Sequence, residues 1–118
     1  MGLFSNKNKD TAPISGNDSY LKISTSKDGA EYTFMLEGRL DTNTSPELDS
    51  KVREVLSDAK KLIFDFKKLD YISSAGLRVL LVAAQAMEGK GEIVVRNLTR
   101  AVRDVFNLTG FSLLVNIE

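Results

Sequence analysis

The segment Leu69-Asp-Tyr-Ile-Ser-Ser-Ala-Gly-Leu-Arg-Val-Leu-Leu-Val82 decides how the rest of the chain is interpreted. Its pattern predicts the end of a strand, a short polar turn and the beginning of an apolar helix. Ser73 and Ser74 lie in the turn, where a serine side chain can accept a hydrogen bond from a free backbone N–H. Gly76 is a poor helix former in the first helical turn, so we expect it to permit close approach of the backbone to a neighbouring element.

The two serines have two possible roles. On spacing alone, capping of the helix is the simpler explanation, because serine is among the preferred N-cap residues. The alternative is that one hydroxyl is a modification site, since a helix N-terminus offers a partial positive charge and free N–H donors to a phosphate. Arg78 follows Ser74 by four residues, so a phosphate on Ser74 would lie one helical turn from its guanidinium.

The predicted helix over residues 74–88 is more apolar than a helix on one face of a sheet needs to be. Its apolar side chains form two stripes, which are Leu77, Leu80, Leu81 and Ala84 in the first and Val79, Val82, Ala83 and Ala86 in the second. The second stripe indicates either a face kept for a partner or the ordinary exposure of single Val and Ala side chains.

Hydrophobic periodicity on both sides of this segment predicts the element order ββαβαβαβ. Alternation of strand, crossover helix and strand implies a sheet with parallel pairs, so the fold class is α/β, a mixed sheet of about five strands with helices packed against it. Lys67 and Lys68 are interpreted as a solvated connection. The predicted strands cover residues 20–25, 31–37, 62–66, 92–96 and 112–117, and the predicted helices run from Thr44 or Ser45 to near Lys60, over 74–88, and from Thr99 to Gly110. Residues 1–18 are predicted to be a flexible tail before one domain at 19–118.

Composition excludes several classes of function. The charges of sixteen basic and sixteen acidic residues cancel, which argues against a surface that binds nucleic acid. No apolar run is long enough to span a membrane. The sequence contains no Cys and no His, which removes disulfides, thiolate chemistry, Ser-His-Asp triads and His-ligated metals. We therefore expect a cytoplasmic protein without a metal or cofactor.

Three segments, Gly38-Arg-Leu-Asp41, Leu69 to Val79 and Val105-Phe-Asn-Leu-Thr-Gly110, resemble the STAS domain of bacterial anti-sigma factor antagonists, and the resemblance covers roughly residues 20–117. It implies a binding protein that is not an enzyme. In that family the antagonist sequesters an anti-sigma factor that is also a GHKL-type serine kinase, and the sigma factor is released. The kinase phosphorylates a serine that opens the helix, the partner dissociates, and a PP2C-type phosphatase reverses the modification.

Matched to this family, the sequence implies that Ser74 is the phosphorylated residue. Ser73 is the second candidate, because the Asp that several members carry at its position is missing from this sequence. Many relatives continue into a further helix, whereas this sequence ends at Glu118. A monomer is the expected state. The implied partner contacts are Asp41, Ser73, Ala75, Gly76, Arg78 and Val82.

Two other functions compete with this interpretation. One is a constitutive STAS scaffold subunit of a transporter or signalling assembly, in which the serine is only a cap. The other is an enzyme that uses Asp41, Asp65, Asp70 and the serines, which lack any recognised nucleophile–base pair.

Overall fold

The structure, a computed structural model, describes residues 20–118 of the chain. The predicted order of strands and helices is confirmed, with a short 3-10 helix before the last strand. The predicted flexible tail at residues 1–18 lies outside the described residues. The elements are β1 (Leu21–Asp28), β2 (Glu31–Leu40), α1 (Ser45–Val55), β3 (Lys61–Ile72), α2 (Ser74–Met87), β4 (Glu92–Arg96), α3 (Arg100–Thr109), the 3-10 helix (Phe111–Leu113) and β5 (Asn116–Ile117).

The sheet is mixed, as predicted, and its strands follow chain order from β1 to β5. The β1–β2 hairpin is antiparallel, whereas β2, β3, β4 and β5 pair in parallel. Leu40 at the end of β2 pairs with Ile72 at the end of β3. Because the carboxyl ends of parallel strands meet at one edge of a sheet, the loop that begins at Asp41 and the Ser73–Ser74 turn emerge side by side.

A line of aromatic rings joins the sheet to the last helical segments. Phe34 and Phe64 stack with ring centroids 5.5 Å apart, and Phe66 meets Phe106 of α3 edge to face at 6.3 Å. Phe106 in turn contacts Phe111 at 5.1 Å. All five rings are buried in one apolar cluster, which also includes side chains of α1 and α2. The cluster fixes α2 on the sheet, and with it the position of the serine turn.

Strand β3 continues well beyond its predicted end. The interpretation of Lys67 and Lys68 as a connection is wrong, because β3 runs to Ile72. The register between β2 and β3 shifts between the pairs Met35–Asp65 and Glu37–Lys68, so a bulge in β3 lies at this point. The bulge leaves both lysines exposed and interrupts the alternation on which the sequence prediction depended.

Two element ends also differ from the prediction. The predicted final strand at 112–117 is mostly wrong, because Phe111–Leu113 forms a 3-10 helix held by the buried Phe111 ring and only Asn116–Ile117 pairs with β4. Helix α1 ends at Val55 rather than near Lys60, although Ala59 is buried as the apolar stripe predicts.

Candidate functional site

The serine turn is attached to the end of β2 by a backbone hydrogen bond. The Ser73 N–H donates to the Leu40 carbonyl at 2.9 Å, and the Leu77 N–H donates to the Ser73 carbonyl at 3.0 Å. The second bond makes Ser73 the N-cap residue of α2, so Ser74 is the first helical residue. Ser74 is exposed. Its hydroxyl is therefore within reach of another protein.

Ser73 occupies the N-cap position, but its side chain does not cap the helix. The Ser73 Oγ is buried and has no hydrogen-bond partner within the described part of the chain. The expectation of a serine hydroxyl that accepts a bond from the first turn is therefore wrong for Ser73. A buried hydroxyl without a partner is unfavourable, so this serine adds little to the stability of the helix.

Replacement of Ser73 by Ala is a direct test of this geometry. Loss of a serine that caps a helix normally lowers the free energy of unfolding by about 1 kcal/mol. For Ser73→Ala we expect no loss, or a gain of up to about 1 kcal/mol, because an unpaired buried hydroxyl is removed. Urea unfolding measures the difference, with Ser74→Ala as the exposed control. A loss of about 1 kcal/mol in Ser73→Ala alone would contradict the observed hydroxyl position.

Asp41 organises the loop that leads from β2 to α1. Its Oδ1 accepts hydrogen bonds from the backbone N–H groups of Asn43 at 2.9 Å and Thr44 at 3.1 Å. The Thr44 hydroxyl accepts from the Asp41 N–H at 2.9 Å and donates to the Arg39 carbonyl at 2.8 Å. Asp41 thus fixes the backbone of this loop. The Thr44 side chain also bonds within the loop and does not cap the N-terminus of α1.

Arg39 supports the same loop from the strand side. Its Nε lies 3.7 Å from Oδ2 of Asp41, and its guanidinium carbon lies 4.2 Å from the ring centroid of Tyr71 on β3. Strand register explains the second contact, because Arg39 and Tyr71 are direct partners in the parallel pair. This contact could not be predicted from the segment that contains Arg39, because it depends on a second register shift between β2 and β3, between the pairs Gly38–Leu69 and Arg39–Tyr71.

Gly76 allows the close approach that its position predicts. A Cβ at this residue would lie 2.8 Å from Cγ1 of Ile72 and 2.8 Å from Cγ of Leu40. Gly76 is buried, so it fits the first turn of α2 against the ends of β2 and β3 rather than offering surface to a partner.

The outward side of α2 forms a shallow groove, which we call the Ser74 face. The two apolar stripes of the sequence analysis are each divided, because Val79, Leu80 and Ala83 are buried whereas Leu81 and Val82 remain partly exposed. The Ser74 face therefore combines polar and apolar side chains beside the exposed serine. It is lined by Ser74, Ala75, Leu77, Arg78, Leu81, Val82, Gln85 and Phe111.

The residues implied by the family resemblance are partly brought together. Ala75, Arg78 and Val82 share the Ser74 face, and they also line a second groove between α1 and α2. Phe111 was not predicted to take part, because only the turn after Gly110 brings it under α2. Asp41 begins the loop that follows Leu40, and the Leu40 carbonyl accepts the hydrogen bond from the Ser73 N–H.

The described residues hold no group of His, Cys, Asp or Glu arranged to bind a metal ion. Across residues 20–118, no helix has both the length and the apolar character that a membrane span requires.

Comparison with known proteins places this geometry in a family. The family model described as "Mlab, STAS domain" matches residues 23–116. The Bordetella bronchiseptica protein named anti-sigma factor antagonist BtrV is 36% identical over 93 residues, which cover 77% of this chain and 80% of that protein.

Two solved structures show the same fold. An anti-sigma factor antagonist from Mycobacterium paratuberculosis has a TM-score of 0.78 at 21% identity and covers 88% of this chain and 89% of its own. The Bacillus cell fate determinant SpoIIAA in its phosphorylated form has a TM-score of 0.68 at 18% identity, with 82% of this chain and 91% of that chain covered.

Proposed function

The chain belongs to the STAS domain family, and we propose that it is an anti-sigma factor antagonist switched by phosphorylation of Ser74. In its unmodified form it binds an anti-sigma factor through the Ser74 face and the adjoining Asp41 loop, and a sigma factor is released. Phosphorylation of Ser74 ends this interaction. The proposed role is regulatory binding rather than catalysis.

The observation that carries this proposal is the contrast between the two serines. Ser74 is exposed at the beginning of α2, beside the partly apolar Ser74 face, whereas the Ser73 Oγ is buried. Of the two serines, only Ser74 presents its hydroxyl for phosphoryl transfer by another protein. The related BtrV is named as an anti-sigma factor antagonist, and the structurally similar SpoIIAA has been solved in a phosphorylated form, which supports the same role here.

Charge alone is sufficient to make this site a switch. A phosphate on serine adds about −1.5 to −2 charge near neutral pH. The helix N-terminus favours that charge within the protein, so the fold has no reason to change. In a protein interface the same charge must lose water or face a carboxylate, which costs several kcal/mol. The switch therefore works by electrostatics at the surface and needs no conformational change.

The enzymes that act on Ser74 are proposed from the family. We propose a GHKL-type serine kinase, which is the anti-sigma factor itself, and a PP2C-type phosphatase that restores the hydroxyl. An exposed serine at the first position of a helix is accessible to both enzymes. The first turn of α2 contains no acidic residue that could act as a base for this hydroxyl, so the proposed kinase supplies the base.

The alternative function is a constitutive scaffold subunit in a larger assembly. The observation that favours it is the exposure of three leucines that do not line the Ser74 face, Leu108, Leu113 and Leu114. A permanent partner would cover such side chains, and phosphorylation would have no part in binding. The experiment that separates the two functions begins with a purified complex of a sigma factor and its anti-sigma factor from the same organism.

We expect the unmodified protein to displace the sigma factor from that complex, which size-exclusion chromatography detects as free sigma factor. The Ser74→Ala variant should displace it equally and should continue to do so after incubation with ATP. A wild-type protein that leaves the complex intact under all conditions would contradict the proposed function and leave the scaffold as the alternative.

The role of Asp41 in this interface is tested by two substitutions. Asp41→Ala removes the acceptor of two backbone N–H groups, so we expect a loss of about 1–2 kcal/mol in the free energy of unfolding and about tenfold weaker binding. Asp41→Asn retains the Oδ1 acceptor and should keep most of the stability and most of the affinity. Calorimetric titration of the anti-sigma factor measures the affinities. If Asp41→Asn loses as much affinity as Asp41→Ala while remaining stable, the carboxylate charge itself contacts the partner.

A further inference from the structure

We infer that Arg78 is the internal counter-ion of a phosphate on Ser74, so that modification withdraws the Arg78 guanidinium from the docking surface as well as adding negative charge. This inference rests on the proposed phosphorylation of Ser74 and states how the same site accommodates the new charge. It concerns a contact within this chain, and the partner protein is not needed to observe it.

Helix geometry places the two side chains together. Helix α2 is continuous from Ser74 to Met87, so residues four apart lie on the same side one turn apart. Ser74 and Arg78 are both exposed and both line the Ser74 face. A phosphate extends the serine side chain by one further tetrahedral group, which brings its oxygens toward the guanidinium. Such a pair can form without any change in the backbone.

Arg78 is available for this contact because it has no acidic partner among residues 20–118. Among residues 20–118 the ion pairs join Arg39 to Asp41, Arg53 to Asp49, Arg96 to Glu118 and Lys61 to Glu92. Asp49 lines the second groove together with Arg78, but its Oδ2 lies 2.8 Å from Nε of Arg53. A phosphate on Ser74 would therefore not have to displace an existing ion pair of Arg78.

The first turn of α2 offers backbone N–H donors that bond to no side chain among residues 20–118. The first intrahelical bond is from the Leu77 N–H, so the N–H groups of Ser74, Ala75 and Gly76 precede it without helical acceptors. The Ser73 side chain makes no cap hydrogen bond to them. The first turn also carries no acidic residue that would repel a phosphate. The phosphate would thus lie between these N–H groups and the Arg78 guanidinium.

The consequence is a reversal of local charge. In the unmodified protein Arg78 presents a positive charge on the Ser74 face, where a carboxylate of a partner can pair with it. After phosphorylation the phosphate, whose charge is larger, binds the same guanidinium. The Ser74 face then carries net negative charge, and the Arg78 guanidinium no longer donates to a partner. A carboxylate on the partner would then be repelled at the position where it was bound.

The test uses protein with phosphoserine incorporated at position 74 during translation, so that no kinase is required. Phosphorus NMR follows the titration of the phosphate, whose second pKa is about 6 in an unperturbed phosphoserine. A neighbouring positive charge favours the dianion and lowers that pKa. In Arg78→Ala we expect the pKa to rise by a few tenths of a unit, as an exposed pair four residues apart in a helix predicts. Arg78→Lys should recover part of the shift.

Arg103→Ala provides the matched control, because Arg103 is an exposed arginine on α3 outside the Ser74 face. It should leave the titration unchanged. Equal phosphate pKa values in the wild type and Arg78→Ala would overturn the inference, as would an equal shift in Arg103→Ala. Failure of a kinase to modify Ser74 would instead contradict the proposed function, and the two failures are therefore distinguishable.

Discussion

Replacement of Ser74 by Asp is expected to weaken binding of the anti-sigma factor by more than about a hundredfold, which corresponds to about 3 kcal/mol. The carboxylate would stand at the first position of α2, beside apolar side chains of the Ser74 face that a partner must desolvate. The helix dipole favours an acidic residue at this position, so the free energy of unfolding should stay the same or rise slightly. Calorimetric titration and urea unfolding measure the two quantities.

The matched control is Ser74→Asn, which has nearly the same size as Asp but carries no charge. We expect it to retain most of the affinity. Comparable losses in both variants would show that bulk rather than charge disrupts the interface. If Ser74→Asp binds with full affinity, Ser74 does not lie in the interface, because an acidic side chain in a dry contact would lower the affinity.

The largest effect on stability is expected from Gly38→Ala, at the beginning of the segment that leads to Asp41. Gly38 has φ of +114°, which side chains rarely adopt, and a Cβ there would lie 2.3 Å from the Tyr20 carbonyl oxygen. That oxygen also accepts a hydrogen bond from the Arg39 N–H at 2.8 Å, so it cannot move away without loss of the bond. Strain and steric overlap together predict a loss of about 2–5 kcal/mol in the free energy of unfolding.

Gly89→Ala separates the two contributions. Gly89 also has a positive φ, of +75°, but a Cβ at this position would meet nothing within 4 Å. We expect a loss of about 1 kcal/mol there, from backbone strain alone. Chemical denaturation of both variants gives the difference. Equal losses would show that the contact with Tyr20 does not restrict residue 38.

Local chemistry was sufficient to predict much of this site. The Ser73–Ser74 turn, the beginning of α2 and the close approach at Gly76 were all predicted correctly, because each follows from a residue type at a helix terminus. The strand and helix order was also predictable, since the apolar periodicity of each element is strong. These features depend on neighbours in sequence rather than on distant contacts.

Features set by distant contacts could not be predicted in the same way. The register of β3 against β2 shifts twice, and the second shift, between the pairs Gly38–Leu69 and Arg39–Tyr71, places Tyr71 beside Arg39. The 3-10 helix that brings Phe111 to the Ser74 face depends on burial of that ring against Phe106. The hydroxyl of Ser73 resembles a helix cap in sequence, yet packing holds it away from the first turn. In each case tertiary packing decided against a local preference.

The central claim is that the exposed hydroxyl of Ser74 is the switch. Its most direct test is incubation of the protein with its anti-sigma factor and ATP, followed by mass spectrometric mapping of the modified residue. We predict one phosphate per chain, located on Ser74 and absent from Ser74→Ala. A phosphate on Ser73, or an equal amount of phosphate on the Ser74→Ala variant, would contradict the account, as would an active kinase that leaves the wild-type protein unmodified.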